Sequence, residues 1–322
     1  GFEGLVEKRF RPLGYNDVSG ILQVGGTILG TSNKADPFHY PVSEAGGIVH
    51  RDLSDRALAN VEEAGLEAVC CLGGDGSMTI AQRLGEKGLR VVGVPKTIDN
   101  DLWGTDVTFG YDSAMSVAAE AIDRIHTTAQ SHHRVMIVEV MGRLAGWLAL
   151  GAGLAGGADV ILIPEIDFEL EAVCEKFLSR RRIGRKFSIV CVAEGAKPRG
   201  GEVVTQRETP AGQGRVRLGG IGVRLTEEIE LRTGLEARAT ILGHLQRSGT
   251  PTPYDRLLAT RFGVAAAEMT ARREFGRMAA LRGEDIVTVP LDEVAGRMKR
   301  VPYGHPLLKV ARFVGTSLGV DD

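Results

Sequence analysis

The chain has 322 residues, of which 39 are Lys or Arg and 41 are Asp or Glu, so its formal net charge is −2. This length predicts one large domain or two packed together. Hydrophobic residues make up 43% of the chain, and together with the near-zero net charge this excludes disorder as the main state. The charge balance disfavours a nucleic-acid partner, and the lack of any uncharged apolar run of about 18 residues argues against a membrane span.

Cysteine and glycine usage narrows the class of protein further. The four cysteines form no CxxC pair, which predicts a reducing, cytoplasmic compartment and no disulfide framework. Glycine is abundant, at 43 residues, and follows no period. An excess of glycine with few aromatic residues is typical of a protein with many tight strand-to-helix turns.

Apolar runs alternate with amphipathic segments along the chain. The runs are short and continuously apolar, which is typical of parallel strands covered on both faces. They lie at 68–72, 90–94, 135–140, 160–163, 187–192 and 239–242. The amphipathic segments predict helices at 113–129, 168–182, 220–232 and 254–273. This alternation indicates a doubly wound α/β fold. Residues 197–220 lack apolar periodicity and are interpreted as a surface insertion or mobile loop.

A glycine-rich turn follows the first run, and ligands of such sheets bind beyond the carboxyl ends of the strands. The turn reads Gly73-Gly-Asp-Gly-Ser77 and precedes a predicted helix. Glycine lets the backbone approach a phosphate closely, the helix N-terminus favours anions, and Asp75 is of the ligand type that Mg²⁺ prefers. The alternative is a plain strand-to-helix turn with a capping residue.

The second run is followed by Pro95-Lys-Thr-Ile-Asp-Asn-Asp101. Asp99 is a candidate general base, which needs a carboxylate within hydrogen-bond reach of the proton it takes. Asp101 is a candidate for holding that geometry or reaching a metal through water, and Lys96 for stabilising phosphate charge. The alternative is a loop in which the Asp and Asn side chains bond their own backbone.

Later strand ends carry arginines and a glutamate. Arg143 follows the run 135–140 in a Met-Gly-Arg turn, and Arg134 precedes the same run, so the two lie at opposite ends of one strand. Arg134 is therefore either a surface residue or a contributor to the site of a neighbouring subunit. Glu194 follows another run and suits either sugar hydroxyls or a helix cap.

A basic set surrounds the last run. Arg238, His244 and Arg247 bracket 239–242. Arginine binds phosphate through two parallel hydrogen bonds, and histidine can assist. The set therefore indicates a sugar-phosphate site.

The chain resembles the 6-phosphofructokinase family over about residues 25–291. It carries, in the family's order and approximate spacing, the motifs GGDGS, PKTIDND, SHHRVMIVEVMGR, AEG and RATILGHLQRSGTPTPYDR. The early segment 25–38 resembles the long bacterial, mixed-substrate branch. The resemblance implies two similar three-layer α/β lobes with mainly parallel sheets: a phosphoryl-donor lobe at 1–109 plus about 247–297, and a fructose 6-phosphate lobe at about 110–246 plus 298–322.

The resemblance also implies roles for the motif residues. For the donor, Gly74, Asp75, Gly76 and Ser77 would bind ATP, with Mg²⁺ on Asp75 and Asp101. For catalysis, Asp99 would deprotonate the sugar 1-hydroxyl, with Lys96, Thr97 and Arg143 stabilising the transferring phosphoryl group. For fructose 6-phosphate, the binding residues would be Thr97, Ile98, Asp99, Arg134, Met141, Gly142, Arg143, Glu194, Arg238, His244, Leu245, Gln246 and Arg247.

Two positions bear on the phosphoryl donor. In this family, glycine at position 76 goes with ATP, because an aspartate there would occupy the place of the nucleotide α-phosphate. Lys96 is expected in users of pyrophosphate, although some ATP enzymes carry it as well. A carboxylate at position 76 would repel the α-phosphate directly, so we expect ATP, with pyrophosphate as the alternative.

The chain departs from the family pattern in two places. Members begin with a strand and a GGD-type loop, and Gly1 aligns beyond them, so we expect the first βα unit to be missing and the sheet edge it would cover to be unpaired. Asn33-Lys34 stand where shorter ATP-dependent relatives have an arginine.

Arg134, and with it Arg238, would reach the site of another subunit, which implies a homodimer or homotetramer with shared sites. A non-catalytic sugar-phosphate-binding subunit is a further alternative, against which the intact Asp75, Asp99 and Arg143 argue. Lipid or NAD kinases also use GGDG-type loops, but the TIDND and MGR segments favour a 6-phosphofructokinase.

Overall fold

The computed structural model of the chain describes residues 1–32, 34–206 and 217–321. It contains two compact units. Unit 1 comprises Gly1–Thr97, Leu102–Phe109 and Gly249–Arg297, and unit 2 comprises Ile98–Asp101, Gly110–Ser248 and Met298–Asp322. In the described part of the chain, no helix combines the length and the apolar character needed to cross a membrane. Asn33, at which a departure from the family was noted, lies outside the described residues.

The described residues form eleven α-helices and twelve strands. The helices are, in chain order, α1 Phe2–Val6, α2 Tyr15–Val18, α3 Ser54–Glu63, α4 Asp75–Glu86, α5 Tyr111–His132, α6 Trp147–Ala155, α7 Leu170–Arg182, α8 Ile221–Thr233, α9 Pro253–Ala271, α10 Leu291–Val294 and α11 Pro306–Phe313. The strands are β1 Tyr40–Glu44, β2 Gly47–Arg51, β3 Val69–Gly73, β4 Val91–Pro95, β5 Val135–Val140, β6 Val160–Leu162, β7 Ser188–Ala193, β8 Thr205–Gln206, β9 Arg217–Leu218, β10 Ala237–Ile241, β11 Arg277–Arg282 and β12 Asp285–Pro290.

The main sheet of unit 1 has the strand order β12-β11-β4-β3. Strands β3, β4 and β11 run parallel, and β12 pairs antiparallel with β11. Alternate residues of β4 enter different cores: Val91 packs with α4 residues such as Met78, whereas Val92 packs with α9 residues such as Phe262. Helices thus cover both faces of β4, which is why this strand reads as a continuous apolar run.

Unit 2 has a fully parallel sheet with the order β10-β5-β7-β6. Along β5, Met136 and Val138 pack in the core that contains α5 and α6, while Val135 and Ile137 pack in the core that contains α7 and α8. Each unit therefore has helices on both faces of a largely parallel sheet. This confirms the predicted α/β fold.

Two predicted strands were wrong in one respect: they are not buried on both faces. Strand β3 lies at the edge of its sheet, and its Leu72 side chain is 60% exposed. The α9 core covers β4 and β11 but contains no β3 residue among those described. Strand β10 is likewise an edge strand, with Ile241 exposed. An edge strand has a neighbour on one side only, so the layers above and below it end there.

The other predicted elements lie within about three residues of their observed bounds. In the predicted insertion 197–220, β8 pairs antiparallel with β9. Residues 207–216, which join these two strands, lie outside the described residues, so the predicted loop is described only at its two ends.

Candidate active site

The glycine-rich turn of unit 1 lies directly against the end of the neighbouring parallel strand. The backbone N–H of Lys96 donates to the carbonyl oxygen of Gly73 at 2.9 Å. A Cβ on Gly73 would overlap the side chain of Ser77, and a Cβ on Gly74 would lie 3.3 Å from Cβ of Thr97. Side chains at positions 73 and 74 are thus excluded by close packing, which brings the turns after β3 and β4 together.

The same turn begins α4, a helix of 12 residues with Gly74 as its N-cap. The first four N–H groups of an α-helix have no partner within the helix, and the helix dipole adds positive potential there. Gly76 and Ser77 lie in this first turn, with Asp75. One Asp75 oxygen, Oδ1, accepts from the N–H of Gly296 at 3.2 Å, which limits the carboxylate's rotation. The arrangement suits an anionic group with a cation beside it.

The turn after β4 is held by its own neighbours. The Thr108 hydroxyl donates to the carbonyl oxygen of Thr97 at 2.8 Å, and the N–H of Phe109 donates to Pro95 at 3.3 Å. Lys96 is exposed. Lys96 is therefore carried by a turn whose backbone is fixed.

Residues 98–101 follow immediately in sequence and belong to unit 2. Asp99, Asn100 and Asp101 are all buried, and Ile98 packs against the core that contains α5 and α6. Asn100 has φ +51°, a left-handed conformation that Asn adopts more readily than most residues. Burial of carboxylates is costly unless they are paired or hydrogen-bonded, so this segment is of the kind found at functional sites.

The Met-Gly-Arg turn after β5 has an unusual backbone. Both Gly142 and Arg143 have positive φ, +130° and +53°. The N–H of Arg143 donates to Oε1 of Glu194 at 3.0 Å. A Cβ at Gly195 would overlap the carbonyl oxygen of Arg143. The Glu-Gly pair after β7 therefore shapes the turn that carries Arg143.

The environment of Glu194 alters its acidity. Burial raises the pKa of its carboxyl group above the ordinary value, and nearby Glu139 acts in the same direction. The hydrogen bond from the Arg143 amide and the positive charges of Arg247 and Arg143 lower it. The net direction is upward because loss of water around a carboxylate penalises its charged form.

A third turn completes this cluster in unit 2. Residues Gly243–Arg247 form a 3₁₀ turn after β10. Gln246 is only 2% exposed, and its Oε1 accepts from the N–H of Met141 at 2.7 Å, whereas His244, Leu245 and Arg247 are exposed. Strands β10, β5 and β7 are adjacent and parallel. The three turns that follow them therefore meet at the carboxyl ends of the strands.

Arg134 and Arg238 lie near the opposite, amino-terminal ends of strands β5 and β10. Arg134 pairs with Glu236 at 2.8 Å, and Arg238 pairs with Glu236 at 2.6 Å and with Glu230 at 2.9 Å. The hydrogen bond from Arg134 lowers the pKa of Glu236. Strand β5 has six residues, which separates its two ends by about 20 Å. The structure therefore does not bring Arg134 and Arg238 together with Arg143 in one chain.

Two functional candidates were absent from the sequence analysis. Glu139 is buried next to the carboxyl end of β5 and accepts from the N–H groups of Gly220 and Gly222 at 2.9 and 2.8 Å. A lone carboxylate inside an apolar strand was a usable signal for it. Lys299 contacts Asn100 and Asp101, and no local pattern marks it because its partners lie about 200 positions away.

A glycine-rich turn at a helix N-terminus in unit 1, and turns bearing carboxylates and arginines in unit 2, are features of α/β proteins that bind phosphorylated substrates. Comparison with known proteins specifies the class: a family model for phosphofructokinase matches residues 1–270. The chain belongs to the phosphofructokinase family, as the resemblance predicted.

Individual relatives extend over nearly the whole chain. It is 53% identical over 320 residues to an ATP-dependent 6-phosphofructokinase of Chloroflexus aurantiacus, covering 99% of this chain and 87% of that protein. It is 50% identical over 302 residues to a pyrophosphate–fructose 6-phosphate 1-phosphotransferase of Amycolatopsis methanolica, covering 94% of this chain and 85% of that protein.

Among solved structures, the chain is similar to Pichia pastoris phosphofructokinase in the T-state, with a TM-score of 0.77 and 32% identity over 91% of this chain. It spans only 31% of that longer chain.

Proposed function

We propose that this chain transfers the terminal phosphoryl group of Mg²⁺-bound ATP to the 1-hydroxyl of fructose 6-phosphate, giving fructose 1,6-bisphosphate and ADP, as an ATP-dependent 6-phosphofructokinase of glycolysis. The observation that carries the proposal is the 53% identity with an ATP-dependent 6-phosphofructokinase over 99% of the chain. The glycine-rich turn in unit 1 and the clustered turns in unit 2 support it.

Unit 1 is proposed as the phosphoryl-donor lobe. The N–H groups of the turn at Gly74, Gly76 and Ser77 would receive the donor phosphates, because the first turn of α4 presents amides without helical partners. Lys96 would add positive charge from the adjacent turn. Thr97, packed against Gly74, would hold the group being transferred.

Unit 2 is proposed as the fructose 6-phosphate lobe. Asp99 would accept the proton of the 1-hydroxyl as its oxygen bonds to the γ-phosphorus and the bond from phosphorus to the leaving ADP oxygen breaks. Arg143 would stabilise the charge on the transferring group. The sugar would be bound by Ile98, Met141, Gly142, Glu194, His244, Leu245, Gln246 and Arg247. This phosphoryl transfer depends on the positioning of the reacting groups and needs no covalent enzyme intermediate.

The residues present fit a magnesium ion carried by the nucleotide. Mg²⁺ in phosphoryl-transfer sites is held by one or two carboxylates together with substrate phosphates and water. Within the described ranges no group of three or more His, Cys, Asp or Glu side chains could hold a metal by itself. In unit 1, Asp75 at the α4 N-terminus is the candidate for such a carboxylate, and in unit 2 the candidate is Asp101 in the buried 98–101 segment. The ion would neutralise phosphate charge.

A second copy of the chain is proposed to complete the sugar-phosphate site. Arg134 and Arg238 lie near the amino-terminal ends of strands β5 and β10, opposite to the Arg143 turn, where one Glu236 carboxylate holds both. They would bind the 6-phosphate of a substrate held mainly by another subunit, in a homodimer or homotetramer. The proposed location is the cytoplasm.

Pyrophosphate is the second candidate donor. Lys96, the residue expected in users of pyrophosphate, is present and exposed beside the donor turn. The 50% identity with a pyrophosphate-dependent relative supports this alternative. Only the donor differs between the two proposals; the acceptor and the role of Asp99 are the same.

The test measures fructose 1,6-bisphosphate formation from fructose 6-phosphate, with ATP and pyrophosphate compared at equal Mg²⁺ and with Asp99→Ala as the control. Product from ATP that Asp99→Ala abolishes supports the first proposal. Product from pyrophosphate alone supports the second. Binding of fructose 6-phosphate without turnover of either donor would contradict both and favour a non-catalytic subunit.

A further inference from the structure

The segment that contains Asp99 includes a residue with left-handed backbone directly after the carboxylate. Asn100 is buried and has φ +51°. Left-handed backbone at a residue other than glycine persists when its surroundings over-determine it. The contacts around Asn100 therefore decide where the preceding carboxylate points.

Lys299 makes two of those contacts. Its backbone N–H donates to the carbonyl oxygen of Asp101 at 2.7 Å. Its Nζ donates to Oδ1 of Asn100 at 3.0 Å. One residue thus binds both positions that directly follow Asp99, one through the backbone and one through a charged side chain. Hydrogen bonds from a charged donor are stronger than neutral ones.

Lys299 is itself fixed by Trp147 at the start of α6. The indole Nε1–H donates to the carbonyl oxygen of Lys299 at 2.8 Å, and the Lys299 ammonium lies 5.4 Å from the indole ring centre. Trp147 is 9% exposed, and its carbonyl oxygen accepts from the Tyr111 hydroxyl at 3.1 Å. A cation over an indole face is attracted by the ring quadrupole.

A second anchor lies two residues further on. Oε1 of Glu165 accepts from the N–H of Val301 at 2.8 Å and from the N–H of Gly146 at 3.0 Å. Gly146 is the N-cap of α6. The segment around Lys299 is therefore attached to the start of α6 twice, directly through Trp147 and indirectly through Glu165, which bridges Val301 and Gly146.

We propose that Lys299 is a positioning residue that orients the Asp99 carboxylate by holding Asn100 and Asp101. The inference rests on the proposed function. The contacts that carry this role are those from Lys299 to Asn100 and Asp101. Loss of Lys299 should therefore lower kcat and leave substrate binding largely intact, since a misplacement of about 1 Å costs on the order of 100-fold in rate.

The first test compares three variants. Lys299→Met removes the ammonium and keeps a flexible apolar stem on Trp147. Lys299→Arg keeps a cationic donor. Lys309→Met is the matched control, because Lys309 also lies over an aromatic ring, that of Phe313 at 5.6 Å, but on an exposed surface. We expect Lys299→Met to lower kcat by about tenfold or more with both KM values within about twofold, Lys299→Arg to restore most of kcat, and Lys309→Met to match the wild type.

A second variant keeps the proposal testable if Lys299→Met does not fold, as circular dichroism would report. Asn100→Gly retains the left-handed backbone and removes the Oδ1 acceptor. Asn100→Gly should lower kcat to a similar extent. Combining it with Lys299→Met should lower kcat little further, because both changes remove the same hydrogen bond, from Lys299 Nζ to Asn100 Oδ1.

Fluorescence reports the local geometry apart from activity. The chain has two tryptophans, so in a Trp103→Phe background all tryptophan emission comes from Trp147. Lys299→Met should change that emission and Lys309→Met should not.

The outcomes separate the two proposals. A wild type that forms no product from either donor overturns the proposed function and the positioning role with it. A fully active wild type with a Lys299→Met variant that matches Lys309→Met overturns the positioning role alone, as does a loss confined to KM or a failure of Lys299→Arg to recover kcat.

Discussion

The carbonyl oxygen of Arg143 occupies the space that a side chain at position 195 would need. Gly195 follows β7, and a Cβ added there would overlap that oxygen. The Arg143 turn has little freedom to move away, because Gly142 and Arg143 both have positive φ and the Arg143 N–H is bonded to Glu194. The shape of the Arg143 turn therefore depends on the absence of a side chain on an adjacent strand end.

Gly195→Ala should displace the Arg143 turn. Because the overlapping atom is backbone, relief requires a shift of the turn itself, and we expect kcat to fall by about 100-fold with a lower melting temperature. Gly263→Ala is the matched control, since a Cβ there meets nothing within 4 Å and alanine is favoured within a helix. Enzyme assays and thermal melts of the two variants check this; equal kcat in both would contradict it.

Glu194→Gln should change how stability depends on pH. Burial raises the pKa of Glu194 in the folded state, so the folded state binds more protons than the unfolded state just above the ordinary value of 4.5. The contribution of protonated Glu194 to the stability of the folded state is therefore complete below pH 4.5. It is lost as the pH rises through the pKa that Glu194 has in the folded state.

Glutamine stays neutral, so the stability of Glu194→Gln relative to wild type should increase as pH rises from about 4.5 to 7. Chemical denaturation at several pH values measures the difference. A difference that stays constant over this range, or falls, would show that the Glu194 pKa is not raised.

Mixing two inactive variants should restore activity if sites are shared between copies. Asp99→Ala removes the proposed general base, and Arg134→Ala removes an arginine at the end of β5 opposite to the Arg143 turn. A mixed dimer would contain one intact site and one doubly altered site, so random exchange of subunits should recover about one quarter of wild-type activity. Assays before and after co-refolding measure this, with each variant alone as control. No recovery, despite mixed dimers detected by mass, would place both residues in the same chain's site.

Gly76→Asp should shift the donor from ATP to pyrophosphate. The new carboxylate would lie in the first turn of α4, where it would repel a nucleotide α-phosphate and consume the positive potential of the helix N-terminus. We expect kcat/KM for ATP to fall by about 100-fold or more, with kcat/KM for pyrophosphate unchanged or higher. Steady-state assays with both donors check this, and Gly263→Ala again serves as control. Unchanged use of ATP would refute the role of Gly76 in donor choice.

The strand ends were readable from sequence because each candidate group is local. Asp75, Asp99, Arg143 and Glu194 each follow an apolar run, and the carboxyl end of a buried parallel strand is where such groups act. A strand that is covered on both faces has apolar residues at consecutive positions, and β4 and β5 are covered in this way. Order and spacing of the motifs then indicated the family.

Other features depend on which elements become neighbours. Leu72 is exposed because β3 is an edge strand, and its apolar run resembles that of a central strand. The pairing of Lys299 with Asn100 joins residues about 200 positions apart, and the overlap of position 195 with Arg143 arises from the pairing of β5 with β7.

Sequence alone thus determined the type of fold, the family and the motif residues, because covered parallel strands and phosphate-binding turns leave patterns within a few consecutive positions. Tertiary structure alone decided which strands are edges, which way the Arg143 turn bends and which residue contacts Asn100 and Asp101 beside Asp99. These properties arise from contacts between segments distant in sequence, and such contacts leave no period or spacing in the chain.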